Sequence, residues 1–326
     1  MKSLKIVGTG VSLPSRVLTN ADLERMVDTS DRWITERTGI KERRIADEGV
    51  STSDLCADAL RSACDDAGLS PGDLDAIIVG TSTTDTLFPS TACWVQGKLG
   101  LHGPAAFDVS AGCSGFLYGL ELAGALITSG SAQRVGVVGG EVMSKVVNWE
   151  DRSTCVLFGD GAGAAVVTAG VGGSGVLASN WGADGTLASI LYQPAGGTKR
   201  PATHQTIDEH AHTVHMEGNT VFKHAVVAMS TAAISAMERA AITADDVDLF
   251  IPHQANMRIM EVARERVGVP REKMMVVLHK YGNMSAATIP VALHEARREG
   301  RVQDGSTLVL TAFGTGFTWG ASVLRW

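Results

Sequence analysis

A cysteine, a histidine and an asparagine, the side-chain types that combine in nucleophilic catalysis, lie at the ends of predicted buried segments. Cys113 stands between the apolar run Ala105–Val109 and a helical apolar stripe that starts at Phe116. His253 directly follows another apolar run, and Asn283 lies in a glycine-containing turn. A cysteine at a helix N-terminus is a candidate nucleophile, because the partial positive charge of the helix end favours the thiolate.

An internal repeat predicts where these side chains lie. A helical pattern over 55–67 followed by the buried strand Ala76–Gly80 recurs, 173 residues later, as a helical pattern over 222–241 and an apolar run over 249–251. Each half therefore contains the same succession of helix and buried strand, which is typical of a sheet covered by helices on both faces.

The two halves stay in step further along the chain. The predicted strand Ala105–Val109 before Cys113 matches a predicted strand over 275–278 before Ser285. Alone, Cys113 could be a small buried hydrophobe, His253 a hydrogen-bonded core imidazole and Asn283 a turn residue. Their equivalent placement in a duplicated α/β fold instead favours convergence, because functional groups gather at the ends of strands.

Length and composition fit this organisation. The chain has 326 residues, of which 44% are hydrophobic and 19% charged, so it is able to bury a large core. We expect two duplicated α/β halves, residues 1–172 and 173–326, with mixed sheets and buried helices in layers. The five cysteines form no C-x-x-C pair and are expected to be free, with Cys56, Cys64 and Cys93 on buried helix faces.

Several classes of function are disfavoured. A net charge of −7 provides no general basic field, so we expect neither nucleic acid nor membrane as a partner. No export signal or apolar stretch of about 20 residues is found, which predicts a cytoplasmic protein. Gly8 and Gly10 lack the third glycine of a dinucleotide-binding fingerprint, which disfavours a dehydrogenase. Four histidines lie in one polar segment without cysteines or paired carboxylates, so no metal is expected: His204, His210, His212 and His215.

Taken together, the motifs resemble those of the β-ketoacyl-acyl carrier protein synthase III family, the initiating condensing enzymes with a thiolase-like fold. The resemblance covers nearly the whole chain. It is carried by the Cys113 turn and by five further segments: His253-Gln254-Ala255-Asn256, Gly282-Asn283, Phe158-Gly159-Asp160-Gly161-Ala162-Gly163, Gly218-Asn219, and the end Phe313-Gly314-Thr315-Gly316-Phe317-Thr318-Trp319-Gly320.

This resemblance implies a decarboxylative Claisen condensation in two stages. Cys113 would take an acyl group from acyl-CoA, with the N–H groups of Cys113 and Thr315 holding the oxyanion. His253 and Asn283 would then stabilise the enolate formed when malonyl-acyl carrier protein loses CO₂, beside an apolar wall made by Phe313. Family members commonly carry Gly or Ala at the position of Thr315, so we expect strain there if its φ is positive.

The resemblance also implies the binding residues. Trp33 and Arg152 would sandwich the adenine of CoA. Phe88 would reach across a homodimer to close the partner's acyl pocket, which favours a short primer such as acetyl-CoA. No cofactor is implied. The remaining assignments are contacts with CoA at Thr29, Arg37, Asn219, Phe222, Ala255 and Asn256, and docking of the acidic carrier protein at Lys223, Arg258 and Arg266, where Glu265 replaces a basic residue of the family.

Two alternatives remain at this point. A specialised relative could transfer the acyl group to another acceptor in secondary metabolism, since a shared fold does not fix the acceptor. A catalytically silent subunit is disfavoured, because Cys113, His253 and Asn283 are all present.

Overall fold

The computed structural model describes residues 3–170 and 173–326, and in them strands and helices alternate along the chain. The strands are β1 (Ser3–Ser12), β2 (Arg16–Thr19), β3 (Glu42–Ile45), β4 (Ala76–Gly80), β5 (Ala105–Val109), β6 (Val135–Val142), β7 (Asp160–Gly170), β8 (Gly175–Ala183), β9 (Leu191–Tyr192), β10 (His215–Met216), β11 (Leu249–Pro252), β12 (Thr307–Gly314) and β13 (Thr318–Arg325). The helices are α1 (Asn20–Leu23), α2 (Asp31–Thr38), α3 (Thr52–Asp66), α4 (Thr91–Lys98), α5 (Gly115–Ser129), α6 (Arg152–Cys155), α7 (His204–Asp208), α8 (Gly218–Arg239), α9 (Met257–Val267), α10 (Leu278–Tyr281) and α11 (Thr288–Arg298).

Two mixed sheets carry the predicted repeat. The first has the order β1-β7-β6-β4-β5 and the second β11-β12-β13-β8. The first sheet has two parallel pairs, β6 with β4 and β4 with β5, and the second has one, β11 with β12. The remaining pairs in both sheets are antiparallel. Two two-stranded ribbons, β2 with β3 and β9 with β10, complete the sheets of the described chain.

The helices form layers around these sheets. Helices α5 and α11 lie between the sheets and contact both of them, whereas α3 covers the outer face of the first sheet and α8 that of the second. Of the residues in α5, only Glu121 is charged, which suits a helix enclosed on both sides. The core between the sheets joins side chains from both halves, among them Ile78, Phe116, Ile289 and Leu310.

This architecture confirms the predicted α/β class with mixed sheets, buried helices and a duplicated plan. The predicted boundary at residue 172 lies outside the described residues, and the division into two domains stays a prediction. Helix α8 is the one described helix with the length and apolar composition of a membrane span, but half of that stretch is buried against the protein. It is therefore a core helix by its packing.

The segment 275–278 was expected to be a strand, and that expectation is wrong. Within it, the N–H of Met275 donates to the carbonyl of Phe250, and the isolated bridge between Phe250 and Met274 lies just before it. The reason is the side chain of Gln254, whose Oε1 accepts the N–H groups of Val277 (2.9 Å) and Leu278 (3.1 Å). A side-chain amide thus occupies the place of a neighbouring strand.

The predicted burial of Cys93 is also wrong. Cys56 and Cys64 are buried on α3, but Cys93 is exposed on α4. Helix α4 packs beside β5, the edge strand of the first sheet. Its outer face, which includes Trp94, is exposed to solvent in the described chain.

Candidate active site

Cys113 lies in the short turn that connects β5 to α5. The turn Gly112–Ser114 precedes the first residue of α5, so Cys113 stands at the N-terminal end of a fifteen-residue helix, as predicted. Its side chain is buried, with 7% of the residue exposed.

The C-terminal end of β12 and the residue that follows it, Thr315, approach this turn closely. A Cβ at Gly112 would lie 2.4 Å from the nitrogen of Thr315, and one at Gly314 would lie 2.6 Å from the nitrogen of Cys113. Glycine is therefore required at both positions. This close approach of the two backbones brings the nitrogens of Cys113 and Thr315 near each other. The expected strain at Thr315 is absent, because its φ is not positive and Gly316 takes the unusual conformation, with φ of 130°.

His253 extends from the end of β11 and is fully buried. Its Nδ1 lies 2.6 Å from the hydroxyl of Thr288, and its ring meets the ring of Phe313 edge-on at 5.4 Å. Its Nε2 is buried without a hydrogen-bond partner. A buried polar atom that is left unpaired is costly, and here it faces a cavity in which a ligand could supply the partner.

Asn283 is held by its backbone and by one side-chain bond. Its N–H donates to the carbonyl of Leu157 (2.9 Å), and its carbonyl accepts from the N–H of Gly159 (3.0 Å). The N–H of Ser285 donates to Oδ1 at 2.8 Å. Because Oδ1 is fixed in this way, the Nδ2 amide group is left to donate to another partner.

Two cavities meet at Cys113. We call the larger cavity, of about 370 Å³, the tunnel, and the smaller cavity, of about 280 Å³, the inner pocket. The tunnel is lined by Cys113, His253, Asn283 and Phe313 together with Trp33, Arg37, Asn219, Phe222, Ala255, Asn256 and Arg258. The inner pocket is lined by Ser82, Thr83, Cys113, Met143, Val146, Phe158, Ala188, Leu191, Tyr192, Gln193, Val214, Ser285, Thr315 and Gly316.

Aromatic and cationic side chains cluster at one end of the tunnel. The guanidinium groups of Arg37 and Arg152 each lie 5.2 Å from the ring centroid of Trp33, within the range of a cation–π contact. Arg152 does not line the tunnel and instead donates to the backbone carbonyl of Asp28. Thr29 lies outside the lining as well, and its hydroxyl is buried without a partner.

The three predicted docking residues are exposed. Lys223 lies on α8, while Arg258 and Arg266 lie on α9. Arg258 also stacks over the ring of Phe222 at 5.5 Å, so it belongs to the tunnel mouth. The nearby Glu265 bonds Arg264 at 3.1 Å, and neither Arg258 nor Arg266 forms an ion pair with it.

Phe88 is 82% exposed and lines neither the tunnel nor the inner pocket of its own chain. It lies beside Leu87, which is 77% exposed. Among residues 3–170 and 173–326, no group of three or more metal-ligating side chains occurs, and His212 instead bonds Thr206 at 2.9 Å. That no metal takes part stays a prediction.

Burial dominates the protonation of the two titratable groups in the site. It lowers the pKa of His253 to about 3, so this imidazole is neutral at physiological pH. It also raises the pKa of Cys113 to about 12, against the fall expected from the helix terminus alone. Cys113 is therefore a thiol at rest and has to lose its proton as it reacts.

A thiol, two converging backbone nitrogens, an imidazole and a side-chain amide around one tunnel are suited to acyl transfer. Models of 3-oxoacyl-[acyl-carrier-protein] synthase III match residues 107–185, and those of its C-terminal region match 237–326. The β-ketoacyl-[acyl-carrier-protein] synthase III of Caldanaerobacter subterraneus is 54% identical over 98% of this chain and 97% of its own. The chain belongs to this family.

Solved structures agree. The 3-oxoacyl-[acyl-carrier-protein] synthase III of Aquifex aeolicus superposes with a TM-score of 0.92 at 49% identity, covering 99% of this chain and 100% of its own. The priming β-ketosynthase of the R1128 polyketide pathway gives 0.89 at 33%, covering 99% and 96%. Membership of the synthase III family confirms the predicted thiolase-like fold and the predicted acyltransferase, which performs the initiating condensation of fatty acid synthesis.

Sequence reasoning missed several residues of this synthase III site. Ser285 was used only to align the repeat, although it contacts Asn283 and lines the inner pocket with Cys113. Glu141 is the charged residue of an otherwise apolar buried strand, and that contrast in the sequence was a usable signal. Thr288 gave no such signal, because its contact with His253 depends on the tertiary fold.

Proposed function

We propose that Cys113 is the nucleophile of a condensation between a short acyl-CoA, with acetyl-CoA the expected primer, and malonyl-acyl carrier protein. The observation that carries this proposal is the shared lining of the tunnel by Cys113, His253 and Asn283. The acyl group would enter the inner pocket, and the pantetheine arm would occupy the tunnel.

In the first stage, the Cys113 sulfur attacks the thioester carbon. The developing oxyanion lies between the backbone N–H groups of Cys113 and Thr315, whose nitrogens the glycines at 112 and 314 bring together. Donors placed in this way contribute roughly 2.7–4 kcal/mol each to transition-state stabilisation.

In the second stage, malonyl-acyl carrier protein loses CO₂ and an enolate forms. The neutral imidazole of His253 donates from Nε2 to the enolate oxygen, and Asn283 donates from Nδ2. The ring of Phe313 presents an apolar wall to the departing carboxylate, since it packs against both His253 and Phe317.

Other contacts complete the proposal. Thr29, Trp33, Arg37 and Arg152 bind the nucleotide end of CoA, and Asn219, Phe222, Ala255 and Asn256 hold pantetheine. The acidic carrier protein docks on Lys223, Arg258 and Arg266. The enzyme works in the cytoplasm without cofactor or metal.

A homodimer is proposed from the edge of the first sheet. β5 has a neighbour on one side only, and the exposed side chains of Leu87, Phe88 and Trp94 belong to the same region of the chain. An unpaired edge with exposed apolar neighbours is suited to a second copy. The primer pocket would then be completed by Phe88 from the partner.

Two measurements test this function. Mass spectrometry after incubation with acetyl-CoA should find an acetyl group on the Cys113 peptide, and its absence would contradict the proposal. His253→Ala should still acquire the acetyl group but form no product with malonyl-acyl carrier protein. Turnover with oxygen or nitrogen acceptors instead would favour the specialised alternative. That alternative has less support, because the chain is 54% identical to a synthase III and only 33% identical to the priming β-ketosynthase of a polyketide pathway.

A further inference from the structure

A buried carboxylate is linked to Cys113 through a single hydroxyl group. Glu141, near the end of β6, is fully buried. The hydroxyl of Ser285 donates to Glu141 Oε1 at 2.9 Å. The turn Ser285–Ala287 packs against the turn Gly112–Ser114, and Ser285 lines the inner pocket beside Cys113. The Ser285 hydroxyl lowers the pKa of the Cys113 thiol. The nucleophile, the hydroxyl and the carboxylate therefore form one chain.

The surroundings of Glu141 are those of an ionised carboxylate. Its oxygens accept the backbone N–H groups of Ser82 (3.0 Å) and Thr83 (2.9 Å), which are obligate donors. The hydroxyls of Thr81 and Thr83 lie at 3.1 and 2.5 Å. Such donors stabilise the charge, while burial raises the pKa of Glu141.

No cation among residues 3–170 and 173–326 forms an ion pair with this carboxylate. Among the described residues, the titratable groups that face Glu141 are the thiols of Cys113 and Cys56. Its stabilising partners are hydroxyls and backbone N–H groups alone. Burying a carboxylate without a cation is destabilising, because the charge loses its hydration. Such a carboxylate is a candidate proton acceptor, since protonation removes the buried charge.

The first stage of the reaction needs such an acceptor. The Cys113 thiol is protonated at rest, so its proton has to leave as the S–C bond forms. His253 is badly suited to take it: its pKa is about 3, and its Nε2 is required as a donor in the second stage.

We infer that Glu141, acting through Ser285, accepts the proton of Cys113 during acyl loading, stores it while the acyl-enzyme waits, and returns it after condensation. This inference rests on the proposed role of Cys113 as the nucleophile. Ser285 takes the proton directly from the reacting sulfur, whereas Glu141 acts through Ser285 and is a positioning residue.

The loading step balances as follows. The S–H bond of Cys113 breaks, its electron pair forms the S–C bond to the acyl carbon, and its proton moves to Ser285 Oγ. The hydroxyl proton of Ser285 moves to Glu141 Oε1. The C–S bond to CoA breaks, and the CoA thiolate leaves with that electron pair and takes one proton from solvent.

The condensation step reverses the transfer. The enolate carbon attacks the acyl carbon, and the C–S bond to Cys113 breaks to leave a thiolate. Glu141 returns its proton to that thiolate through Ser285, and the resting state is restored. One solvent proton is consumed in each turnover, and it resides on the CoA thiol.

Proton counting tests the storage directly. Enzyme and acetyl-CoA are mixed without malonyl-acyl carrier protein, in weakly buffered solution at neutral pH with an indicator dye, and acyl-Cys113 is quantified by mass spectrometry. We expect uptake of one proton from solvent for each acyl group loaded. In Glu141→Gln the loaded enzyme should show no uptake. Normal loading of the wild type without uptake would overturn the inference.

The pH dependence of loading is the second readout. Rapid-quench loading rates of Glu141→Gln and Ser285→Ala should be at least tenfold below wild type near pH 7 and should rise with pH, because hydroxide then takes the proton. The matched control is Asp160→Asn, which removes a second buried carboxylate that accepts from Ala46 and Ser144 and has no path to Cys113. Loading should be unchanged in this control.

The possible outcomes are distinct. Loading by Glu141→Gln within twofold of wild type, with an unchanged pH profile, would reject the proton store while leaving the proposed nucleophile intact. Absence of any adduct on wild-type Cys113 would instead reject the proposed function. If Glu141→Gln does not fold, Ser285→Ala and the wild-type proton count still decide.

Discussion

The hydroxyl of Thr288 lies 2.6 Å from Nδ1 of His253 and thereby governs which nitrogen of the ring carries the proton. A hydroxyl has one hydrogen, and when Thr288 donates it to Nδ1 the ring proton resides on Nε2. That is the tautomer able to donate to an enolate oxygen in the tunnel. The same hydroxyl lies 3.0 Å from the carbonyl of Ser285, which competes for its one hydrogen. When Thr288 donates to that carbonyl instead, the ring proton resides on Nδ1 and donates to Thr288.

Removal of this hydroxyl is expected to separate the two stages. Thr288→Val keeps the shape of the side chain but loses the donor, which is worth about 1–1.5 kcal/mol, or roughly tenfold in rate. We expect condensation to fall about tenfold and acetyl loading to stay within twofold of wild type. Thr288→Ser should restore condensation. Equal losses in both stages would mean that Thr288 only supports the fold.

Protonation of His253 should reduce stability in acid. Its pKa is about 3 in the folded protein and about 6.5 when unfolded, so between these values the unfolded state binds more protons. The free energy of unfolding therefore rises with pH from about 3 to 6.5, and the contribution is complete above 6.5. The slope attributable to this group is about 1.4 kcal/mol per pH unit.

Denaturant unfolding at several pH values measures this slope. The difference in the free energy of unfolding between wild type and His253→Gln should shrink as the pH falls below about 6. His102, which is exposed, serves as the control in His102→Gln and should leave the slope unchanged. A wild-type minus His253→Gln difference that does not vary with pH would show that the imidazole is not held neutral.

Much of this site was predictable because it follows a repeat. The positions of Cys113 and His253 at strand ends follow from apolar runs and their spacing, and the fold places both on one tunnel. Ser285 was not predictable as a functional residue, since its importance depends on a left-handed backbone conformation, with φ of 47°, and on partners far away in the chain. The strand predicted over 275–278 was wrong because the side chain of Gln254, and not a neighbouring strand, accepts the N–H groups of Val277 and Leu278.

The stacking of Arg152 on Trp33 predicts a rearrangement when CoA binds. The adenine base of CoA would need a stacking contact of about 3.5 Å on each of its faces. The Arg152 guanidinium lies only 5.2 Å from the Trp33 ring centroid, which is less than these two contacts together, so the base does not fit between them in this conformation. Arg152 has to move outwards, and its bond to the carbonyl of Asp28 has to lengthen or break.

Kinetics with a truncated substrate test this contact. Arg152→Ala should raise the KM for acetyl-CoA several-fold and leave the KM for acetyl-pantetheine, which lacks the nucleotide, unchanged. Arg32→Ala is the control, because Arg32 lies on the same helix as Trp33, is exposed, and pairs with Glu36 instead of Trp33. A similar rise in KM for both substrates would place Arg152 outside the nucleotide site.

The exposure of Phe88 predicts that primer length is limited by a second copy of the chain. The inner pocket of about 280 Å³ is larger than a two-carbon acyl group needs, and Phe88 of the same chain does not line it. Phe88→Thr should therefore admit longer acyl-CoA primers with little change in acetyl loading. A heterodimer that combines Cys113→Ala in one subunit with Phe88→Thr in the other separates the two possible origins of the ring. Its only reactive cysteine lies in the Phe88→Thr subunit, so primer selectivity should remain short if the partner supplies Phe88 and should broaden if each chain supplies its own.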